Sequence, residues 1–266
     1  PNGIQVANCD GNIEVTVSAS SGAGSYRYAM VSTGGSMPTS FLNNGGVFTG
    51  VTAGDYDFYV IDGNGCSVSQ TGFTVHPQLQ AKAQLTKLID CTGTPDGTIE
   101  IEALQGSGTY HYSVENLTTA SMEQPKTSMG GSSTVYHPSV AGTYEIKVYV
   151  DATSNHEACE RIFTIVVPDK IEPDFTASPT DVSCDGANDG SIAVRQTDNG
   201  IIPLTYELLD SGLNPIPSTD FTYDSATRTF GDLASGNYVV RATGTNNCET
   251  DVIVPAINEP TPIVLN

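Results

Sequence analysis

A nine-residue stretch that begins with a cysteine and carries an Asp-Gly pair near its end decides how the chain is organised. Residues 184–192 read CDGANDGSI and residues 91–99 read CTGTPDGTI, with the cysteine, both glycines and the final isoleucine at the same spacing. A shorter version, CDGNI at residues 9–13, lacks four residues of the loop. Because self-similarity along a chain is the sequence signature of a repeat architecture, these openings predict three copies of one unit.

Each opening is followed by the same further motifs in the same order. A small residue, a glycine, a variable residue and a tyrosine form the next motif, whose tyrosines are Tyr56, Tyr144 and Tyr238. A second cysteine follows this tyrosine after 10, 15 and 10 residues. Each copy then closes on an apolar segment that ends in proline, at Pro77, Pro168 and Pro255. The copies therefore span residues 1–77, 78–168 and 169–255, and residues 256–266 resemble a linker or the start of a further copy of a longer array.

Alternation of apolar and polar residues predicts strands in every copy, at residues 13–17, 99–103 and 192–195 and again at 56–60, 144–148 and 238–241. No segment has a helical period. Short strands in units of roughly 75 to 90 residues are typical of immunoglobulin-like sandwiches. We therefore expect an all-β chain of three tandem immunoglobulin-like β-sandwich domains. Because the segments between them lack Gly and Ser, we also expect an elongated, semi-rigid rod.

The charge balance excludes several classes of partner. The chain has 10 Lys and Arg against 30 Asp and Glu, a formal net charge of −20. Phosphate recognition depends on clustered Lys and Arg, so neither nucleic acid nor a polybasic membrane contact is expected. No apolar run approaches the roughly 20 residues of a transmembrane helix.

The six cysteines occur as one pair in each copy, which predicts three disulfides, Cys9–Cys66, Cys91–Cys159 and Cys184–Cys248, in a monomer. A zinc site would call for closely spaced Cys pairs, and these are absent. A catalytic thiol would be single and have a histidine partner. Disulfides place the protein outside the cytosol.

Two sets of residues are candidates for structural or ligand-binding roles. Tyr56, Tyr144 and Tyr238 are expected to be core rings whose hydroxyl groups bond to nearby backbone, as in a tyrosine corner. Asp185, Asn188 and Asp189, with Asp96 as their counterpart, form an oxygen-rich loop that fits either weak calcium binding or an Asx turn. No metal or other cofactor is otherwise expected.

Catalysis is not expected, because converging reactive groups are absent from the sequence. The four histidines occupy unrelated positions in the repeat, and no nucleophile, metalloprotease or phosphate-binding motif is present.

The motifs together resemble those of the SprB-repeat family, whose pattern runs Cys-x-Gly-x-x-Asp-Gly-Ser-Ile, Pro-Tyr-x-Tyr, Leu-x-Ala-Gly-x-Tyr and Asp-x-x-Gly-Cys. Residues 184–192 match the opening almost completely, and residues 62–66 match the last motif. The first copy lacks the Asp-Gly turn and the second has a longer segment before its second cysteine.

The resemblance implies a segment of a secreted cell-surface adhesin of gliding bacteria, exported by type IX secretion. Its partners would be an external surface or polysaccharide and, through other parts of the parent protein, the gliding machinery. The segment would act as a stalk or spacer, or as an adhesive surface. The alternative is a carbohydrate-binding accessory module of an extracellular enzyme, for which Tyr136 and Tyr223 are the candidate contacts; the absence of Trp weakens it.

Overall fold

The computed structural model describes residues 3–197 and 204–265. Twenty β-strands and no helix occur in these residues, which confirms the all-β prediction. The chain separates into two compact units. The first contains residues 1–87 and 97–168, and the second contains residues 88–96 and 169–266.

The first copy, in the first unit, folds into two three-stranded antiparallel sheets over one core. One sheet has the order β1-β2-β4 and the other the order β3-β5-β6. Val15 of the first sheet and Phe58 of the second are 0% and 2% exposed, and both belong to this core. The strands are β1 Ile4–Ala7, β2 Ile13–Val17, β3 Arg27–Ser32, β4 Val47–Val51, β5 Gly54–Ile61 and β6 Ser67–Val75.

The second copy has a three-stranded sheet and a four-stranded sheet, in the orders β11-β8-β7 and β10-β9-β12-β13. Buried residues alternate along β8 and β12, as the sequence pattern predicted. The ring centroids of Tyr136 on β11 and Tyr144 on β12 lie 6.0 Å apart, so the two sheets face each other. The strands are β7 Gln80–Lys87, β8 Thr98–Gln105, β9 Tyr110–Asn116, β10 Ser121–Ser128, β11 Ser133–Tyr136, β12 Gly142–Val150 and β13 Cys159–Val167.

The third copy lies in the second unit and again has two sheets, in the orders β14-β15-β18-β17 and β16-β19-β20. Its core includes Ile257, which is 2% exposed and forms an antiparallel bridge with Gly236. The residue beyond the predicted boundary at 255 thus completes this core. The strands are β14 Phe175–Thr180, β15 Gly190–Gln196, β16 Leu204–Asp210, β17 Thr222–Asp224, β18 Thr229–Leu233, β19 Tyr238–Gly244 and β20 Glu249–Ile253.

One tyrosine hydrogen bond recurs in all three copies. The hydroxyl groups of Tyr56, Tyr144 and Tyr238 each donate to the carbonyl oxygen four residues earlier, at 3.0, 2.6 and 3.0 Å. Tyr144 is 1% exposed, whereas the other two rings are half-buried. Burial raises the pKa of Tyr144 and of Tyr238. Each ring ties the segment before its strand to the core.

Replacing Tyr144 by Ala should therefore lower the free energy of unfolding by about 3–5 kcal/mol, as for other buried aromatic rings. Tyr144→Phe keeps the ring and loses one hydrogen bond, so it should cost about 1 kcal/mol. Urea unfolding with the disulfides intact measures both. Equal losses for the two variants would show that the hydroxyl group matters and the ring does not.

Candidate functional site: the junctions between copies

Two disulfides form in the described part of the chain. Each joins the first cysteine of one copy to the second cysteine of the next copy. Cys9 bonds to Cys159 and Cys91 bonds to Cys248. The Cα–Cα distances are 5.1 and 4.8 Å, within the normal range for disulfides. The predicted pairings within each copy, Cys9–Cys66, Cys91–Cys159 and Cys184–Cys248, are wrong, and so is the prediction of one disulfide in each domain.

The topology of the first copy explains the correction. Cys9 precedes the start of β2, whereas Cys66 lies in a loop beside the segment that follows the end of β2. In that loop the Gly63 N–H donates to the Gly24 carbonyl oxygen at 2.8 Å. The two cysteines therefore lie at opposite ends of the copy, too far apart for a bond. The prediction assumed an even number of strands between them, but a segment at Leu42 bridges β3 at Tyr28 and makes the number of crossings odd.

The Cys9–Cys159 junction is reinforced by backbone pairing between the first two copies. The Val6 N–H donates to the Asn155 carbonyl oxygen at 2.7 Å, and Val6 forms a parallel bridge with His156. The Asn155 side-chain amide donates to the Ile4 carbonyl oxygen at 2.7 Å. The segment before Cys159 thus adds a short parallel pairing to β1.

Charged side chains close the same junction. A carboxylate oxygen of Glu157 accepts the Cys9 N–H at 2.9 Å. The Arg161 guanidinium donates to the Cys9 carbonyl oxygen and lies 3.4 Å from the Asp10 carboxylate. Both hydrogen-bonding groups of the Cys9 backbone are therefore bound by the following copy.

Two histidines and a phenylalanine pack together beside this junction. The rings of His76 and His156 lie 4.4 Å apart between centroids, and Phe73 stacks on His156 at 6.0 Å. The backbone N–H of His76 donates to Nε2 of the His156 ring at 3.4 Å, which requires an unprotonated Nε2. Burial, and then the neighbouring His76, lower the pKa of His156.

The Cys91–Cys248 junction, within the second unit, uses backbone hydrogen bonding at the corresponding place. The Cys91 N–H donates to the Asn246 carbonyl oxygen at 3.0 Å. The Asn246 side-chain amide donates to the Ile171 carbonyl oxygen at 2.7 Å. Cys248 is fully buried.

Cys66 and Cys184 carry free thiols and are exposed. Cys66 follows a tight loop built on Asp62, whose side chain accepts the backbone N–H groups of Ala23, Asn64 and Cys66 at 3.0, 2.9 and 2.9 Å. The bond from Ala23 contributes most to a lowered pKa of Asp62. The carboxylate thus fixes the loop that presents Cys66.

The calcium candidates are arranged as a turn. Asp189 accepts the Ser183 N–H at 2.9 Å, and hydrogen bonds from the Ser183 side chain and backbone lower the pKa of Asp189. The Ala187 N–H donates to the Cys184 carbonyl oxygen at 3.0 Å. Asp185 and Asn188 lie in this loop, and Asp96 lies in the corresponding loop of the preceding copy. Calcium binding by these residues stays the weaker, untested alternative to the turn.

Elsewhere in the described residues, one cluster has the ligand atoms of three His, Cys, Asp or Glu side chains close together: Cys9, Glu157 and Cys159. Its two sulfur atoms form the disulfide, so this cluster is the junction itself and offers no thiolate to a metal.

The two tyrosines considered as carbohydrate contacts pack onto other rings. Tyr136 contacts the buried Tyr144, and Tyr223 contacts Phe230 with 4.7 Å between centroids. Each ring therefore packs on its own sandwich with part of its surface, and Tyr223 remains 39% exposed.

Sequence reasoning missed Asn155, His156, Glu157 and Arg161 as junction residues. The available signal was the longer spacing between Tyr144 and Cys159, 15 residues against 10 in the other copies. These extra residues form the segment that reaches β1.

The chain is thus a tandem all-β repeat protein whose copies are joined by disulfides. The family model of the SprB repeat matches residues 89–119 and 176–213, which contain the openings of the second and third copies. These two segments match the SprB repeat, as the motifs of the sequence predicted. This family consists of non-catalytic repeats of cell-surface adhesins.

No curated protein matches the chain. Among residues 3–197 and 204–265, no helix is long and apolar enough to cross a membrane.

Digestion of the unreduced protein with its free thiols blocked should give two cross-linked peptides, Cys9 with Cys159 and Cys91 with Cys248. Mass spectrometry should also find the blocking group on Cys66 and Cys184 only. A peptide that links Cys9 to Cys66 would restore the pairing within copies.

Acidification should weaken the first junction through His156. Because its pKa is lowered in the folded state, the unfolded state binds more protons, so the stabilisation is complete above the ordinary histidine pKa near 6.5 and is lost as the pH falls below it. Unfolding free energies at pH 7.5 and 5.5 should differ more in the native protein than in His156→Gln. The control is His137→Gln, since His137 contacts the Gly97 carbonyl oxygen away from the junction; an equal effect in both variants would contradict the assignment.

Proposed function

We propose that the chain is a non-enzymatic stalk segment of a secreted cell-surface adhesin, built from three tandem immunoglobulin-like domains. The observation that supports this role is the register of the disulfides, which clip each copy to the next. A stalk transmits tension along its length, and covalent junctions between copies resist that tension when the sandwiches unfold.

The two disulfides interleave, and this sets how far the chain can be drawn out. Cys91 lies inside the loop closed by Cys9 and Cys159, while Cys248 lies outside it. Three chain segments therefore run in parallel between the two disulfides. The shortest contains the 68 residues from Cys91 to Cys159, and it alone limits extension.

The extensible path is short as a result. It comprises the 8 residues before Cys9, those 68 residues and the 18 after Cys248, about 94 in all. At about 3.5 Å per residue this is roughly 330 Å, against roughly 930 Å for the reduced chain.

Single molecules should be pulled by their two ends. Either disulfide alone should still keep most of the unfolded chain from extending. Cys91→Ser leaves the 8 residues before Cys9 and the 107 after Cys159 extensible, so the unfolded length should grow by only about 21 residues, roughly 70 Å. Replacing both Cys9 and Cys91 by Ser should release the whole chain. The matched control is Cys184→Ser, which should leave the length unchanged because Cys184 is unbonded.

A gain of about 68 residues in Cys91→Ser, roughly 240 Å, would indicate closed loops within single copies. That result would remove the support for a stalk whose copies are clipped together.

The wider role follows the family. We propose that the parent protein lies on the outer surface of a gliding bacterium, is exported by type IX secretion, and contacts an external surface or polysaccharide. The gliding machinery would act through other parts of that protein. The rod expected from the short linkers stays a prediction for small-angle scattering.

A further inference from the structure

Cys66 and Cys184 are the two cysteines left unbonded, yet each occupies a position that is bonded in the other copies. Cys159 and Cys248, at the place of Cys66, bond to the first cysteine of the preceding copy. Cys9 and Cys91, at the place of Cys184, bond to the second cysteine of the following copy. We propose that Cys66 and Cys184 are complementary halves of a further junction, in which Cys184 of one chain bonds to Cys66 of a second copy of this chain.

Burial follows the state of the bond at each position. Cys159 and Cys248 are 7% and 0% exposed, whereas Cys66 is exposed. Cys9 and Cys91 are half-buried, whereas Cys184 is exposed. Each free cysteine therefore lacks the cover that a neighbouring copy gives to its equivalents.

The loop that ends at Cys66 already has the shape of the bonded loop that ends at Cys248. The Asp62 N–H donates to the Cys66 carbonyl oxygen at 3.0 Å, and the Gly244 N–H donates to that of Cys248 at 2.9 Å. Gly65 and Asn247, the residues before each cysteine, both have positive φ, 85° and 59°. The backbone before Cys66 therefore already matches that of one bonded equivalent, Cys248.

The equivalence also predicts which backbone groups meet. Asn64 occupies the place of Asn246, whose carbonyl oxygen accepts the N–H of Cys91. In the proposed junction, the Asn64 carbonyl oxygen accepts the N–H of the incoming Cys184. The bond has a direction, because a first cysteine meets a second cysteine and never one of its own kind. Contacts of this kind are heterologous and join copies head to tail, in closed rings or open chains.

The chemistry is a thiol–disulfide exchange. One S–S bond forms between the two thiols, and two protons and two electrons leave them. Oxidised glutathione, a small-molecule disulfide, accepts the two protons and two electrons and becomes two molecules of reduced glutathione.

A mixture of two variants tests the proposal. Cys66→Ser keeps only Cys184 free, and Cys184→Ser keeps only Cys66 free. The two are mixed at equal concentration in a glutathione redox buffer, which lets disulfides exchange. Random pairing makes the mixed dimer about half of all dimers, since two equal thiols combine statistically. We expect the Cys66–Cys184 cross-linked peptide to exceed the two symmetric peptides together several-fold.

Asp62→Ala, placed in the Cys184→Ser background, serves as a control for positioning. It removes the acceptor of the Ala23, Asn64 and Cys66 N–H groups, so the mixed dimer should fall towards the random half. Alkylation of Cys66 by iodoacetamide should continue, which shows that the thiol is still accessible. A random distribution with the Asp62 side chain intact, or no dimer at all, would overturn the proposal. The pulling measurement uses only the bonds within one chain, so the two results are independent.

Discussion

The position of Cys9 and Cys66 at opposite ends of the first copy is the constraint on which its junction depends. An odd number of crossings separates these two cysteines, so they lie too far apart to bond to each other. Cys9 and Cys91 each bond instead to the second cysteine of the copy that follows. Disulfide loops of 150 and 157 residues result, and in the chain-entropy model such a loop stabilises the folded state by about 5 kcal/mol. A contribution of this size is a large part of the stability of small sandwich domains, whose cores are modest.

Buried carboxylates hold several turns of the first copy. Asp62 is largely buried and satisfies three backbone N–H groups around Cys66. Asp57, also buried, accepts N–H groups from Gly72 and Gly34 at 2.8 and 3.2 Å, and the bond from Gly72 contributes most to its lowered pKa. Some of the many acidic residues thus have a structural role, because their carboxylates accept hydrogen bonds from backbone N–H groups that the turns leave unpaired.

The sequence predicts much of this fold because the information is local. Alternation at residues 99–103 and 144–148 identifies β8 and β12, and the motif around Tyr144 identifies a ring that bonds to the Val140 carbonyl oxygen. The cysteine pairing is different, because it depends on how many times the chain crosses the sandwich. One unexpected crossing at Leu42 reverses the end at which Cys66 lies. A pairing between copies also leaves no mark in the spacing within a copy, apart from the longer segment that holds Asn155.

The interleaved bonds also fix the order in which the chain matures. In chain order, the first cysteine bonds to the fourth and the third bonds to the sixth. An oxidant that joined thiols as they appeared would link Cys9 to Cys66, the nearest partner. The native bond of Cys9 becomes accessible only when the second copy has folded and its Asn155 segment has docked on β1. Oxidation of these bonds therefore follows folding by one copy, and each copy keeps a reduced thiol until the next copy has folded.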